Sequence, residues 1–272
     1  MQTNQPDGSK SEPSATQRFS TLAISRESLR RIEAEVTCEY HLVVFLNNQE
    51  LATLICTPTN LEALVAGFLF SEGIINCKED LKSLSFDHAQ GIAWAETVLD
   101  KAPDGAIVNR QIITAVGKNS AAPHQAQGLD CEPNAASQSR LSVPDIFALT
   151  EAFQSLSSTY QATHGVHSAA LCSGNQIIIW ADDLGRHNAI DKVLGQCLLG
   201  NLPTTGQVVF TSGRIASDMV HKALKIGVPI ILSVAVPTSM AIKLADQYGI
   251  TLVGSIKNGG MTVFTHTEMI EV

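Results

Sequence analysis

The sequence predicts an α/β protein in two parts: an α+β N-terminal domain and a C-terminal α/β domain built on a layered sheet. Three observations predict it. The chain has 272 residues, and at roughly 100–200 residues per domain that length suits two units in close contact. From residue 144 onward, short β-branched runs alternate with amphipathic helical stretches, the rhythm of a layered sheet that is parallel in its later portion. Hydrophobic residues make up 44% and charged residues 16%, with a mean hydropathy of +0.12. That balance excludes wholesale disorder and favours a well-filled core. Aromatics are only 5%, so the core must be mostly aliphatic.

The elements follow in chain order. Residues 1–20 are rich in Ser, Gln, Pro and Asn and read as a mobile tail. Residues 39–46 read as a strand, 47–49 as a hairpin turn and 50–57 as the return strand. Asn60 is the expected N-cap of a helix on which Leu61, Leu64, Val65 and Phe68 recur at helical spacing. Gly73 should end it in the left-handed conformation. Strand-like runs at 84–86, 93–99 and 106–109 complete an N-terminal domain over residues 21–113. Residues 114–143 have little periodicity and many turn formers, and read as a mobile loop carrying Cys131. In the C-terminal domain, 144–272, helices are expected over 144–160, 188–199, 215–226 and 239–248. Strands are expected over 168–172, 176–181, 208–211, 229–233, 251–254 and 261–265.

Composition also bounds the partners. Eighteen Lys+Arg against 26 Asp+Glu give a net charge of −8, a poor match to nucleic acid unless a site is local. No apolar run reaches the ~20 residues that span a bilayer, and the polar N-terminus does not read as a signal peptide. The six cysteines form no CxxC pair, which suits a reducing cytoplasm and offers neither a zinc ribbon nor a thioredoxin-type site. Cys172 and Cys197 should be buried packing thiols, with Cys38, Cys56 and Cys77 similarly structural. Cys131 is the candidate nucleophile. Its acidic flanks, Asp130 and Glu132, should raise its pKa rather than activate it.

Three loops follow the carboxyl ends of successive expected strands, where open α/β sheets bind ligands. Thr211–Arg214 puts small hydroxyl residues, a Gly and the guanidinium of Arg214 at a helix start; Ser212 and Arg214 are its candidate anion contacts. Residues 236–239 again place hydroxyls before a helix, and 254–260 is a Gly-rich turn with one cation, Lys257. Together they point to a phosphate-bearing ligand. Ser and Thr also cap helices routinely, and Arg214 has Asp218 at i+4 as an alternative partner. Residues 182–192 form the densest polar cluster, where Gly185, Arg186, His187 and Asn188 offer a binding corner or a solvated face. His164 and His167 fit a polar pocket wall better than a metal site, since no third ligand is evident.

Several blocks then resemble one family. They are Thr57-Pro58 with Gly67-Phe68 and 71–75, the run 183–192, Thr211–Arg214 with Met219, Val220 and Lys222, and 252–254 through 262–266. In this order they resemble the formate dehydrogenase accessory sulfurtransferases, the FdhD/NarQ family, over roughly residues 39–265. The resemblance implies a three-layer C-terminal domain with a cytidine-deaminase-like sheet, without zinc, because the PCxxC ligand pair is absent and no Cys follows Cys197. It implies a cytoplasmic homodimer that passes persulfide sulfur from a cysteine desulfurase to the molybdenum bis(molybdopterin guanine dinucleotide) cofactor of formate dehydrogenase. Cys131 would be the carrier. The family's cofactor-binding stretch corresponds to Ser255, Ile256, Lys257, Asn258, Gly259 and Gly260, and the loop and corner residues Arg186, His187, Ser212 and Arg214 read above are the further candidate contacts. The chain departs from the family pattern in two places. It lacks the CxxC after the first domain, and it has Gly260 where the family tends to place a basic residue. A non-catalytic chaperone holding the same cofactor is the alternative.

Overall fold

The computed structural model describes residues 12–99 and 140–272. An antiparallel hairpin, β1 (Thr16–Ile24) and β2 (Leu29–Thr37), comes first. Thr16–Ser20, expected within the tail, instead pair with residues 33–37 of β2, while residues 1–11 lie outside the described residues. Ser25 closes the connecting turn, donating its N–H to Ser28 O at 2.9 Å and accepting at Oγ from the Ser28 N–H at 3.0 Å.

A four-stranded sheet follows in the order β4-β3-β6-β5. Its strands are β3 (Tyr40–Leu46), β4 (Gln49–Cys56), β5 (Leu81–Asp87) and β6 (Ile92–Thr97). Asn47 and Asn48 both have positive φ, 47° and 67°, as a tight two-residue turn between β3 and β4 requires. Helix α1 (Leu61–Ser71) is apolar nearly all round, and all but its first-turn Glu62 and final Ser71 are buried. One side packs on this sheet with Leu42, Val44, Leu54 and Ala93. The other meets the C-terminal domain. The helix stops at Gly73, with φ +77°. Asn60 is itself left-handed and makes no side-chain cap. The Glu12 carboxylate takes that role, accepting from the N–H groups of Asn60 (3.2 Å) and Leu61 (3.1 Å).

In the C-terminal domain, β7 (Leu141–Ser142) leads into α2 (Val143–Leu156) and α3 (Ser158–Thr163). Ser142 caps α2 by accepting from the Asp145 N–H at 3.2 Å. These residues overlap the end of the expected 114–143 loop, most of which lies outside the described residues, as does the expected strand at 106–109. Next come β8 (His167–Ser173), β9 (Gln176–Asp183), α4 (Arg186–Leu199), β10 (Val208–Thr211), α5 (Ser217–Lys225) and β11 (Ile230–Ser233). Helix α6 (Ser239–Tyr248), β12 (Thr251–Lys257), β13 (Gly260–Val263) and β14 (Ile270–Glu271) complete the chain.

The main sheet has the order β13-β12-β11-β10-β8-β9. Strands β10, β11 and β12 are mutually parallel, β8 and β13 run antiparallel to them, and edge strand β9, antiparallel to β8, runs in their sense. Helices α4, α5 and α6 cover one face through Ile190, Val193, Met219, Val220, Ala241 and Ala245. Helix α2 covers the other through Ile146, Leu149 and Phe153, whose ring stacks on Phe210 at 4.3 Å. The result is a three-layer α/β/α sandwich, and β14 returns to pair with β7.

Helices α1 and α4 join the two halves at very close range. A Cβ on Gly67 would lie 1.8 Å from the Asp191 carbonyl oxygen, and one on Gly195 would lie 1.8 Å from that of Ala63. Only glycine permits backbones to approach so nearly.

A polar corner at the carboxyl edge of the main sheet

The parallel order of β10–β12 brings the expected loops to one edge of the sheet, with the start of antiparallel β8 beside them. Their backbone is less available than the sequence suggests. The Ser212 N–H donates to Ser168 O (2.9 Å), Gly213 N–H to Thr211 Oγ1 (3.1 Å) and Ile215 N–H to Val236 O (3.3 Å). Thr238 is an ordinary N-cap for α6, accepting from Ala241 N–H. An anion at this edge must therefore be held mainly by side chains and by the start of α4.

Helix α4 begins at Gly185 without a side-chain cap and without an acidic residue in its first turn. The Asp183 carboxylate stands at this start instead, accepting from the Gly185 N–H at 2.9 Å and offsetting part of the helix dipole. Its first two residues are Arg186 and His187. Gly213 explains how Arg186 fits: a Cβ there would stand 2.8 Å from Arg186 Cβ and 3.0 Å from its Cδ. The Arg186 Nε is buried with no hydrogen-bond partner among the described residues. A buried, unpaired donor of this kind costs about 1–3 kcal/mol.

His187 is buried and places Nδ1 2.6 Å from Asp218 Oδ2 on α5. Burial pushes the Asp218 carboxyl up, but the His187 imidazole at hydrogen-bond distance, with Lys222 and Arg186, together outweigh it and hold the group below the usual carboxylate range. Asp218 is thus engaged by His187, and Arg214 is exposed. His167 Nδ1 lies 3.3 Å from Ser212 Oγ. Burial lowers its pKa first, and the nearby Arg186 and His187 lower it further. Its ring thus stands beside Ser212, Arg186 and His187 at this edge of the sheet. His164 instead takes the left-handed cap of α3.

The hairpin 254–260 is partly strand rather than a loose turn. Gly254 through Lys257 lie in β12, and Asn258 and Gly259, with φ 51° and 72°, make the turn into β13. Ser255 is left-handed at φ 56° and donates its N–H to Ala235 O at 2.8 Å. The Ile256 side chain is fully buried in the core, so its backbone alone can serve a ligand. Lys257, Asn258, Gly259 and Gly260 are exposed. Strand β11 separates β10 from β12, so the hairpin stands about 10 Å across the sheet from the Arg186 corner. A ligand touching both must be extended.

Most of the 183–192 cluster is neither ligand corner nor solvated face. Lys192 and Asp183 are fully buried and paired at 2.7 Å. Lys192 Nζ also donates to Thr57 Oγ1 (2.7 Å) and Asp182 O (3.0 Å). Asp183 accepts from Thr57 N–H (3.0 Å), Gly185 N–H (2.9 Å) and Asn188 Nδ2 (2.8 Å). Asp191 pairs with Lys222 and accepts from Ser71 Oγ at 2.5 Å. This network ties α1 and the loop before it to α4. The sequence reading missed it, although its i,i+4 signals were present: His187 and Asp191 on α4 face Asp218 and Lys222 on α5.

Cys131 lies outside the described residues. Cys56, Cys172 and Cys197 are buried, as expected for packing thiols, while Cys38 is half-buried and Cys77 is exposed. Burial pushes the Cys172 and Cys197 thiols each up to about 12. Among the described residues no group of three His, Cys, Asp or Glu side chains is arranged to hold a metal ion. No described helix is long and apolar enough to cross a membrane.

Comparison with known proteins places this corner in context. The Sulfur carrier protein FdhD of Bacillus subtilis (strain 168) is 36% identical over 242 residues, covering 89% of this chain and 92% of that protein. That of Halalkalibacterium halodurans is 36% identical over 251 residues, covering 92% of this chain and 93% of its own. The solved structure of a proposed formate dehydrogenase accessory protein from Desulfotalea psychrophila superposes with a TM-score of 0.74 at 26% identity, over 95% of this chain and all of that one. The sequence family matched over residues 37–271 is the same, and the chain belongs to the FdhD/NarQ family.

Proposed function

We propose that this protein is a sulfur carrier in the maturation of formate dehydrogenase, and that Cys131 takes persulfide sulfur from a cysteine desulfurase and delivers it to the molybdenum bis(molybdopterin guanine dinucleotide) cofactor. In the loading step the Cys131 thiolate attacks the terminal sulfur of the donor persulfide. A new S–S bond forms on Cys131 and the donor leaves as a thiolate, so atoms and electrons balance. The cofactor is the substrate, held by its dinucleotide phosphates.

The single observation that supports this seat is the partnerless, buried Nε of Arg186 beside His187 in the first turn of α4. That donor set suits a phosphate oxygen. Ser212 and the exposed Arg214 lie either side of Gly213, which packs on Arg186, and Lys257 at the hairpin 255–260 suits the far end of an extended dinucleotide. The unpaired cysteines among the described residues fit work in the cytoplasm. The same reading gives the protein a cysteine desulfurase and formate dehydrogenase as partners and has it act as a homodimer.

Incubation with a cysteine desulfurase and cysteine should load persulfide on Cys131, read by mass spectrometry of the tryptic peptide. Loading only elsewhere, or nowhere, refutes the carrier role. For the seat, Arg214→Ala and Lys257→Ala should each weaken guanosine diphosphate binding roughly ten- to a hundredfold, the worth of one charge-assisted contact. Unchanged affinity in both removes the assignment. The second reading, a cofactor chaperone without sulfur transfer, draws on the missing CxxC. Rescue of formate dehydrogenase activity by Cys131→Ala, in a strain lacking its own accessory protein, selects it.

A further inference from the structure

Helix α5 faces α4 with two oppositely charged pairs in matching register, His187 with Asp218 and Asp191 with Lys222. The second pair is part of the scaffold, because Asp191 is also bound by Ser71 of α1. The first joins the start of α4 to α5 beside Arg186, and no third described residue is bound to it as Ser71 is to Asp191. It puts a carboxylate close to where the proposed seat needs positive charge, an arrangement that would weaken anion binding unless the carboxylate acts through another group.

We propose that Asp218 is a positioning residue: it holds His187 by Nδ1, leaving Nε2 as the ring nitrogen that meets a diphosphate oxygen beside Arg186. The inference rests on the phosphate seat proposed above and names its ligand group as a diphosphate. His187 has one ring nitrogen committed at 2.6 Å, and no hydrogen bond to its Nε2 is present among the described residues. A histidine fixed through one nitrogen presents the other in a defined direction and tautomer. The charged and titratable groups around it are Asp218 and Lys222 of α5, Arg186 of α4, His167 of β8 and Asp183 of β9. Asp183 is fully engaged by Lys192, Thr57, Gly185 and Asn188, and Lys222 by Asp191. Asp218 is thus the carboxylate free to orient the ring, and Arg186 the neighbour that shares its ligand.

The test uses the full chain with inorganic pyrophosphate as probe. A carboxylate that merely stands near the seat repels the probe, so Asp218→Asn would then tighten binding or leave it unchanged. A positioning carboxylate predicts the opposite sign: Asp218→Asn loses at least fivefold in affinity, Asp218→Glu regains part of it, and melting curves move little. On the unmodified protein with 15N-labelled histidine, pyrophosphate should shift the Nε2 resonance of His187 while Nδ1 stays bound to Asp218. This measurement decides the matter even if the Asn variant fails to fold. Unchanged or tighter binding in Asp218→Asn, or a response at Nδ1 rather than Nε2, overturns the proposal. Arg186→Ala separates the two levels. If it weakens pyrophosphate while Asp218→Asn does not, the seat stands and the positioning role falls. If the unmodified protein does not bind pyrophosphate, both fall together.

Discussion

Replacing Gly67 by Ala tests how the two halves of this protein are joined. The added methyl carbon would lie 1.8 Å from the Asp191 carbonyl oxygen, 2.7 Å from its carbonyl carbon and 2.8 Å from the Gly195 nitrogen. All three are backbone atoms of α4, so no rotamer change relieves the clash. Cβ atoms essentially never approach a heavy atom within 3.0 Å, so the helices must part by at least ~1.2 Å. A radial gap of only 0.5–1 Å already forfeits a quarter to a half of a dispersion contact, and the gap opens along the whole crossing. The cost belongs at the upper end for overpacking, about 3 kcal/mol. At roughly 2–4 °C per kcal/mol for a chain near this size, the melting temperature should fall about 6–12 °C. Thermal unfolding followed by circular dichroism measures it. Gly260→Ala is the control, since its nearest new contact is an ordinary 3.7 Å. A Gly67→Ala protein that melts within about 2 °C of the parent would refute the close-crossing account.

Three further outcomes follow from the same geometry. Lys192→Met should destabilise the protein by about 3–5 kcal/mol, because it strands the Asp183 carboxylate in a site with no solvent access; adding Asp183→Asn should recover part of this in urea unfolding. His167 has a folded-state pKa below its ordinary 6.5, so the unfolded chain takes up the proton first. Stability should fall as pH drops through about 6.5 and be unaffected by this group above that point; a His167→Gln variant that shows the same acid sensitivity counts against the assignment. Under native conditions an alkylating reagent should modify the exposed Cys77 and spare Cys56, Cys172 and Cys197, whose thiols burial keeps protonated. Peptide mapping before and after denaturation reads this out, and any persulfide measurement must distinguish Cys77 from Cys131.

Local pattern was enough to place most elements. Strands β10 and β11 and helices α1 and α6 lie within a residue or two of their sequence reading, because apolar periodicity and glycine stops are properties of short windows. Hairpin β1–β2 escaped. Its strands mix charged and apolar residues, and its pairing is visible only once 16–24 and 29–37 lie side by side. The N-terminal cap of α1 escaped for a related reason: Glu12 acts across 48 residues of sequence, where a local reading assigned the task to Asn60.

At the candidate site, the strand-end position that puts Arg186, Ser212 and Arg214 at one edge of the sheet was legible. Their standing was not. Whether a loop N–H is free depends on what lies opposite it, and Ser168, Thr211 and Val236 consume the ones that looked available. Whether a charged run is solvated depends on what packs over it. Glycine at 67 and 195 lets α1 close on α4 and turns Asp183, Asp191 and Lys192 from surface charges into a buried lattice. The sequence by itself determined the alternation of elements, the aliphatic core and the family. Tertiary structure alone decided which polar groups are already satisfied and which, like Arg186 Nε, still lack a partner among the described residues. Satisfaction of a hydrogen bond is a property of pairs, and those pairs are made by segments far apart in the chain.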